Sequence, residues 1–592
     1  MALLVATLLY RWVHIGSAHL RQVLTMGSRG HQRYWMNNHS QFWPKIKQHL
    51  VYAPLGRTRY KRQIHISTTV SIGSLPGRGH AALLLIYLAS NVAYCLVLDW
   101  ANMNPASVLA ELRGRTGELA ALNIIPTVLF ALRNNPLIPN TGVPYDTFNL
   151  LHRWAACIVV VESALHTICW AINSVEAGGM RHLRLALSTS ISYQFGMVAT
   201  CVFGFVFLTA VSPIRHANYE TFLMLHRLLI PVGLMGAYLH IEKSNLPQRP
   251  YIITAIAFCV LDWAWRVAGI CYYNVSRKSG ITKVTVEALP AEACRVTFDL
   301  VRPWKYTPGC YVHAYLPTIA LWSSHPFSVA WAENKQRNAA LDETEKRPSH
   351  HTNDASHSGQ RHSIVPRSPE FSTAPEATQR PELRRSSGPR DARVTSISLI
   401  VRARTGMTRQ LYERTSSLPY QRLTIWGAIE GPYGGHETFA SYGTVLLFAG
   451  GVGITHCVGY VQHLLAQYQA GTSSTQKVLL VWSIPKVETL EWVRIWMDKI
   501  LCMEHRRDVL RIQIFVTKPR HRDEVVSNTG SVQMFPGRCS PAAIIAREMQ
   551  QRVGAMGVTV CGPGAFADSV RAAIRAVVTD GSVDFMEESF TY

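Results

Sequence analysis

Four histidines share one spacing. His152 and His166 are 14 residues apart, and so are His226 and His240. Fourteen residues make close to four helical turns, so on helices each pair shares a face, its members about 21 Å apart along the axis. Both pairs open alike, with Leu151-His152-Arg153 and Leu225-His226-Arg227. Imidazole is an axial ligand of haem iron, and the interior of a helix bundle can hold such a group. With the two helices running in one direction, His152 faces His226 near one membrane surface and His166 faces His240 near the other, which makes two bis-histidine sites for two b-type haems. A lone histidine near a helix end more often sits at the lipid–water boundary, but two matched pairs in apolar helices argue against that reading, because polar groups in lipid are expensive. His80, His182 and His216 have no matched partners and keep the bland reading.

The elements that must carry these residues are membrane helices. The chain has 592 residues, 48% apolar and 16% charged, with 59 Lys and Arg against 37 Asp and Glu, a net charge of +22. That length holds three or four domains. The composition suits a membrane protein with basic cytosolic flanks and excludes an acidic disordered chain. The same charge bias explains the basic excess without nucleic acid, so no nucleic-acid partner is expected. Twelve cysteines without a Cys-x-x-Cys pair indicate neither a zinc site nor a disulfide framework.

Residues 81–98 and 185–214 are uncharged apolar runs, and 119–132, 148–171, 221–241 and 251–273 are four less pure ones. Six spans are therefore expected, forming a transmembrane bundle over 81–273. The interruptions are Pro126, Arg153 with Glu162, Arg227, and Asp262 with Arg266. Asp262 and Arg266, four apart, are expected to pair, whereas the other charges should face a protein interior, a cofactor or water. Arg153 and Arg227 suit either haem propionates or simple anchoring at the cytosolic boundary. No Asp or Glu precedes Asp99, while nine Lys and Arg from Arg21 to Arg62 do, so residues 1–80 form a basic cytosolic region. Residues 1–10 are apolar but too short to span, and Arg11 and His14 follow; a short membrane segment at 1–20, cleavage, a surface position and a targeting peptide all stay open. Six crossings return the chain to the cytosol, where Arg277, Lys278 and Lys283 fit the charge rule.

After residue 280 the pattern turns to short alternating runs at 282–289, 294–301 and 310–316, consistent with a small β-barrel domain over 280–440. A stretch at 335–393, rich in Arg, Ser, His and Pro, reads as a disordered insertion, with Arg384-Arg385-Ser386-Ser387 a phosphorylation candidate. The β pattern resumes at 394–402, and Gly431-Pro432-Tyr433-Gly434 marks a tight turn. From 443 to 592 a doubly wound α/β domain is expected, from strands at 443–449, 478–482, 512–517 and 557–560. The turn Gly450-Gly451-Val452-Gly453-Ile454-Thr455, between a strand and a helix, is an architecture that holds a pyrophosphate on backbone amides, although ordinary tight turns look similar. No acidic residue lies between Gly450 and Glu488 to grip a ribose hydroxyl, which favours NADPH over NADH, and Lys486 is a candidate for the extra phosphate.

A di-haem bundle, a barrel and a nucleotide domain in this order resemble the fungal ferric-chelate reductases, within the superfamily that includes the superoxide-forming NADPH oxidases. The likeness covers most of residues 70–592. It implies that His325, Pro326, Phe327 and Ser328 contact FAD, that Gly406 and Thr408 lie near its phosphates, and that Phe590 or Tyr592 covers its ring. It also assigns Gly450, Gly451, Gly453 and Thr455, with Cys561, Gly562 and Pro563, to the NADPH site. The equal 14-residue spacings look more like the metalloreductases than the oxidases. Two positions depart from the family pattern: Pro485-Lys486 stands where an arginine is frequent, and Cys310 where glutamine is common. The implied activity is electron transfer from cytosolic NADPH through FAD and two haems to an extracytosolic ferric or cupric chelate, in the plasma membrane, with no catalytic acid or base. A superoxide-generating oxidase and a transporter or scaffold with structural histidines are the rival readings.

Overall fold

A computed structural model describes residues 2–28, 30–56, 60, 64–65, 71–73, 76–321, 323–334, 393–435, 437–519 and 530–588. The expected insertion at 335–393, apart from residue 393, lies outside the described residues, as do Arg384 to Ser387, Phe590 and Tyr592.

Helix α1 spans Ala2–Thr25. The bundle follows as α2 (Arg78–Leu96), α3 (Pro105–Ala131), α4 (Tyr145–Thr189), α5 (Ile191–Ala210), α6 (Tyr219–Lys243) and α7 (Arg249–Asn274). All of these except α1 and α3 are long and apolar enough to cross a membrane, giving five candidate spans among the described residues rather than six. The expected second span falls short because α3 begins well before residue 119 and its first half carries Glu111, Arg113, Arg115 and Glu118. Nor is 185–214 one helix. Ser190 leaves the helical conformation and caps α5 by accepting from the Tyr193 N–H, and within α4 the backbone breaks at Gly178 and Gly179, the latter at φ +69°.

Two antiparallel sheets follow. The first runs, in spatial order, β7 (Arg422–Trp426), β1 (Lys283–Leu289), β2 (Ala293–Lys305), β6 (Arg393–Arg402) and β5 (Trp331–Glu333). The second runs β8 (Ala428–Gly434), β3 (Cys310–Tyr315) and β4 (Ser324–Ser328). They enclose one core containing Val286, Phe298, Val312, Ile397 and Leu399. The expected barrel is thus two sheets around a shared core. The chain passes between them at Gly427, where a Cβ would stand 2.8 Å from Val284 and 2.9 Å from the Tyr315 carbonyl, so only glycine fits this corner. Helix α8 (Met407–Ser416) closes one side.

The nucleotide domain is a six-stranded parallel sheet in the order β12 (Val532–Pro536), β11 (Leu510–Val516), β10 (Lys477–Ile484), β9 (Thr444–Gly450), β13 (Met556–Cys561) and β14 (Val583–Glu588). Along β9, Val445, Leu447 and Ala449 join the core on one face with helix α9 (Ile454–Gln469), while Leu446 and Phe448 join that on the other with α10 (Pro541–Gln550) and α11 (Gly564–Val577). Burial on both faces is why these strands read as continuous apolar runs. Strands β12 and β14 had no such signal, being shorter in apolar residues and at the sheet edges.

The basic region before α2 docks on this domain. Arg21 donates to the carbonyl and hydroxyl of Ser441, both at 2.8 Å, and Thr25 meets Ser474 at 2.6 Å. Lys47 pairs with Asp584 at 2.5 Å, and the Tyr52 hydroxyl accepts from the Phe585 N–H at 3.2 Å.

Candidate redox centre

The bundle brings the four histidines into two pairs. His152 and His226 have ring centroids 6.2 Å apart at 86°, and His166 and His240 6.2 Å apart at 77°. Three of the rings are oriented by backbone carbonyls at Nδ1: His152 by Thr127 at 2.8 Å, His166 by Arg113 at 2.8 Å and His240 by Ser192 at 2.9 Å. An Nδ1–H donated in this way fixes the tautomer and leaves Nε2 as a lone-pair donor to a metal. His226 Nδ1 is buried without a partner. A metal–imidazole bond of about 2.0 Å plus roughly 1.1 Å from nitrogen to ring centre, taken twice, gives about 6.2 Å. Both pairs are therefore spaced as two imidazoles on one metal ion would be.

Two glycines missing from the sequence reading make room for the His166 and His240 pair. A Cβ at Gly117 would lie 2.5 Å from His166 Nδ1, and one at Gly196 would lie 2.8 Å from His240 Nδ1. Near the His152 and His226 pair, Arg153 and Arg215 have buried Nε atoms without hydrogen-bond partners, which suits an anionic group there. His80, His182 and His216 make ordinary hydrogen bonds to Tyr60 and Thr147, to the Ser174 carbonyl and to the Ser212 carbonyl. Glu162, 4% exposed, accepts from Asn123 at 2.9 Å in a cluster with Asn91 and Tyr87. It faces the protein interior, as the cost of a charge in lipid requires.

Two of the flavin-domain candidates, His325 and Gly406, meet at the near end of α6. His325 Nε2 is 3.8 Å from the Glu220 carboxylate, and a Cβ at Gly406 would be 3.2 Å from the same group. Glu220 is six residues before His226 on that helix. Pro326 and Phe327 are half-buried in β4, and Ser328 is buried. Gly406, at φ +57°, starts α8, and the Thr408 hydroxyl in its first turn accepts from the Arg404 N–H and donates to the Thr405 carbonyl, both at 3.1 Å. Cys310 points into the core between the sheets, where burial pushes its thiol up to about 12.

Glu430 locks this domain to the bundle, and sequence reading missed it. It accepts from Arg133 at 2.8 Å, Arg266 at 2.7 Å, Tyr315 at 2.5 Å and Tyr433 at 2.7 Å. Burial alone would raise its pKa, but Arg133 and Arg266 with Tyr315 override it and hold the carboxyl well below the usual range. Beside it, burial and then Arg133 push His313 down to about 2. Asp262 and Arg266 do lie 3.8 Å apart, but the nearer partner of Arg266 is Glu430 and Asp262 accepts from the Asn134 N–H at 3.0 Å. The expected i,i+4 pair is present, and Arg266 has in addition a closer partner from another domain.

In the nucleotide domain, the two glycine turns meet at the carboxyl edge of β9 and β13, where Gly562 packs with its would-be Cβ 2.9 Å from the Gly450 Cα. Gly451 has φ +55°, and a Cβ at Gly453 would run into the Cys561 carbonyl, so only glycines allow this approach. Pro563 stacks over Gly450, a would-be Cβ there lying 2.7 Å from its ring. The Thr455 hydroxyl donates to the Val452 carbonyl at 2.9 Å and so ties the turn itself. Lys486 is exposed just beyond β10, at the same sheet edge. Cys561 is buried, which drives its thiol well above the ordinary value and leaves it neutral.

Comparison with known proteins fits this order of parts. Residues 116–237 match the ferric reductase like transmembrane component, residues 278–351 an FAD-binding domain and residues 442–575 the ferric reductase NAD binding domain. Relatives include ferric/cupric reductase transmembrane component 2 of Saccharomyces cerevisiae, 24% identical over 87% of this chain and 67% of that one. Ferric/cupric reductase transmembrane component 1 of Candida albicans is 23% identical over 88% of this chain and 63% of that one. The chain thus spans about two thirds of these relatives' length. A ferredoxin NADP+ reductase of Neisseria gonorrhoeae matches 52% of this chain and 98% of its own at 9% identity and a TM-score of 0.30, too distant to build on. The resemblance to fungal ferric-chelate reductases read from the sequence holds: this is an integral membrane protein with an FAD-binding and a pyridine-nucleotide-binding domain.

Proposed function

Starting from a chain homologous to fungal ferric and cupric reductases, we propose that it carries electrons from cytosolic NADPH across a membrane, the plasma membrane in this reading, to a ferric or cupric chelate on the far side. One observation carries the reading: two histidine pairs, each at 6.2 Å, stacked along α4 and α6. When bound, NADPH supplies a hydride, FAD converts that electron pair into single electrons, and two haems conduct them one at a time.

The residues have separate tasks. The backbone of Gly450, Gly451 and Gly453 receives the nucleotide phosphates, the Cys561-Gly562-Pro563 turn packs against it, and Lys486 meets the charge that distinguishes NADPH. His325 to Ser328, Gly406 and Thr408 hold the flavin beside the near end of α6, and Tyr592 is assigned the covering ring. His152 and His226 take the inner metal, His166 and His240 the outer one. Arg153 and Arg215 balance propionates at the inner site. Helix α3 serves as the sixth crossing: its 27 residues reach about 40 Å. Three of its four charges have partners, Arg115 with Glu111 at 3.3 Å and Glu118 with the Tyr94 hydroxyl at 2.7 Å.

The test is a difference spectrum of membranes containing the protein, reduced by NADPH without oxygen and then given ferric chelate. A b-type haem signal reoxidised by the chelate supports the reductase. A signal that waits for oxygen favours a superoxide-generating oxidase, and no haem signal rejects the assignment. His166→Ala should stop reduction of the external chelate and leave NADPH-dependent flavin reduction intact.

A further inference from the structure

Helix α1 is amphipathic in the inverse of the usual sense. The less exposed residues recur at helical spacing as Leu4, Thr7, Leu8, Arg11, His14, Ala18, Arg21, Gln22 and Thr25, a stripe polar at six of its nine positions. That stripe is the docked one. Arg11 pairs with Glu437 at 2.5 Å, Arg21 and Thr25 bond to Ser441 and Ser474, and Gln22 donates to the Thr472 carbonyl at 2.9 Å. The opposite face is apolar and open: Trp12 is 76% exposed, Val13 71%, Leu9 63%, and Leu20 and Leu24 53% each. Soluble helices bury such a face, and an apolar strip of this size left open marks a surface that something covers.

Three observations say what covers it. Helix α1 packs beside the short turn Leu137–Thr141, which links α3 to α4 at the end of the bundle that meets the flavin domain, and a Cβ at Gly142 would touch the Arg11 guanidinium at 2.9 Å. Downstream, Leu50 abuts Gly79 at the start of the spanning helix α2, and the neighbouring Val51 and Leu55 are also exposed. Both ends of the segment therefore lie where the bundle leaves the bilayer. Finally, the whole stretch before Asp99 lacks acidic residues, the charge pattern drawn to an anionic leaflet.

We propose that α1 lies in the boundary of the bilayer on the side of the nucleotide domain, its apolar face in lipid and its polar face holding that domain against the membrane. This rests on the reading that the flavin and nucleotide domains share a side with residues 1–80, and it does not rest on the electron acceptor. The test places a photoreactive benzophenone side chain at Leu9, Trp12 or Leu20 of the full chain. The chain is reconstituted in bilayers of phosphatidylcholine and alkyne-tagged phosphatidylserine. Comparison positions are His14 on the docked stripe and Tyr420, 98% exposed on the flavin domain. Lipid adducts at 9, 12 and 20 but not at 14 or 420 are expected. Absence of adducts at the first three overturns the proposal. So does equal labelling at 14, which would mean a helix surrounded by lipid, and so does a crosslinked species of twice the mass, which would mean a second copy covers the face. The readout involves no electron transfer, so failure of the reductase reading would leave it standing.

Discussion

If the proposed function holds, adding one methyl group to α3 should cost the protein its outer haem. A Cβ at Gly117 would sit 2.5 Å from His166 Nδ1, against an ordinary contact of at least 3.4 Å, so the ring must retreat by about 3.4 − 2.5 = 0.9 Å. At Gly196 the corresponding retreat of His240 is about 3.4 − 2.8 = 0.6 Å. Metal–ligand distances hold to about 0.2 Å, and each retreating ring is also held by a backbone carbonyl behind it. Neither displacement is compatible with a bond from both sides. Gly114 on α3 and Gly204 on α5 have nothing within 4 Å of a would-be Cβ. Alanine there adds helix propensity, about 1 kcal/mol, and disturbs no ring. Haem per polypeptide, measured by the pyridine haemochrome method, should fall from two towards one in Gly117→Ala and Gly196→Ala, with Gly117→Ala the more severe. It should stay at two in Gly114→Ala and Gly204→Ala. Two haems with unchanged midpoint potentials in Gly117→Ala would refute the placement of the outer site.

Other consequences are open to measurement. Glu430→Ala takes from Arg133 its acidic partner and leaves Arg266 only the more distant Asp262, a loss on the order of 3–5 kcal/mol, and should release the flavin domain from the bundle, seen as new proteolytic cleavage between them; an unchanged digestion pattern would show the lock to be dispensable. Cys561, buried and neutral, should resist maleimide in the folded protein and react only in denaturant, with mass spectrometry of the peptide as the readout. His456 is buried, and desolvation pushes it down to about 4. Its folded pKa lies below the unfolded value of about 6.5, so the fold binds fewer protons and its stability, complete above 6.5, falls as pH drops from there towards 4, by about 3 kcal/mol in all. Thermal unfolding of the holoprotein at pH 7 and pH 4.5 checks this, and His456→Gln should flatten the slope.

The histidine pairs were legible because their spacing is a helical period, and the parallel strands because burial on both faces leaves unbroken runs such as the one ending at Ala449. Gly117 and Gly196 were not, since nothing in sequence tells a helical glycine that clears space for a ring from Gly204, which clears none. Glu430 was hidden for another reason: its arginine partners lie 164 and 297 residues away, and it precedes a Gly-Pro turn that draws attention to itself. Five of the six expected crossings are long and apolar enough to span, and α3 is not, because hydropathy sees the charges in its first half but not a partner such as Glu111 beside Arg115. The docking of residues 21–52 on the nucleotide domain left no local trace at all.

That docking sets a problem of timing. Lys47 and Asp584 are 537 positions apart, and at a synthesis rate of roughly 5–20 residues per second the first waits about half a minute to two minutes for the second. Throughout that interval Tyr52, whose hydroxyl will meet Phe585, has no strand to settle on. Biogenesis must therefore shelter the opening segment while the bundle inserts and two further domains emerge, and the nucleotide sheet gains its edge clamp only when β14 has left the ribosome. Truncations that stop short of β14 should accumulate chains whose early region stays open to chaperones and proteases.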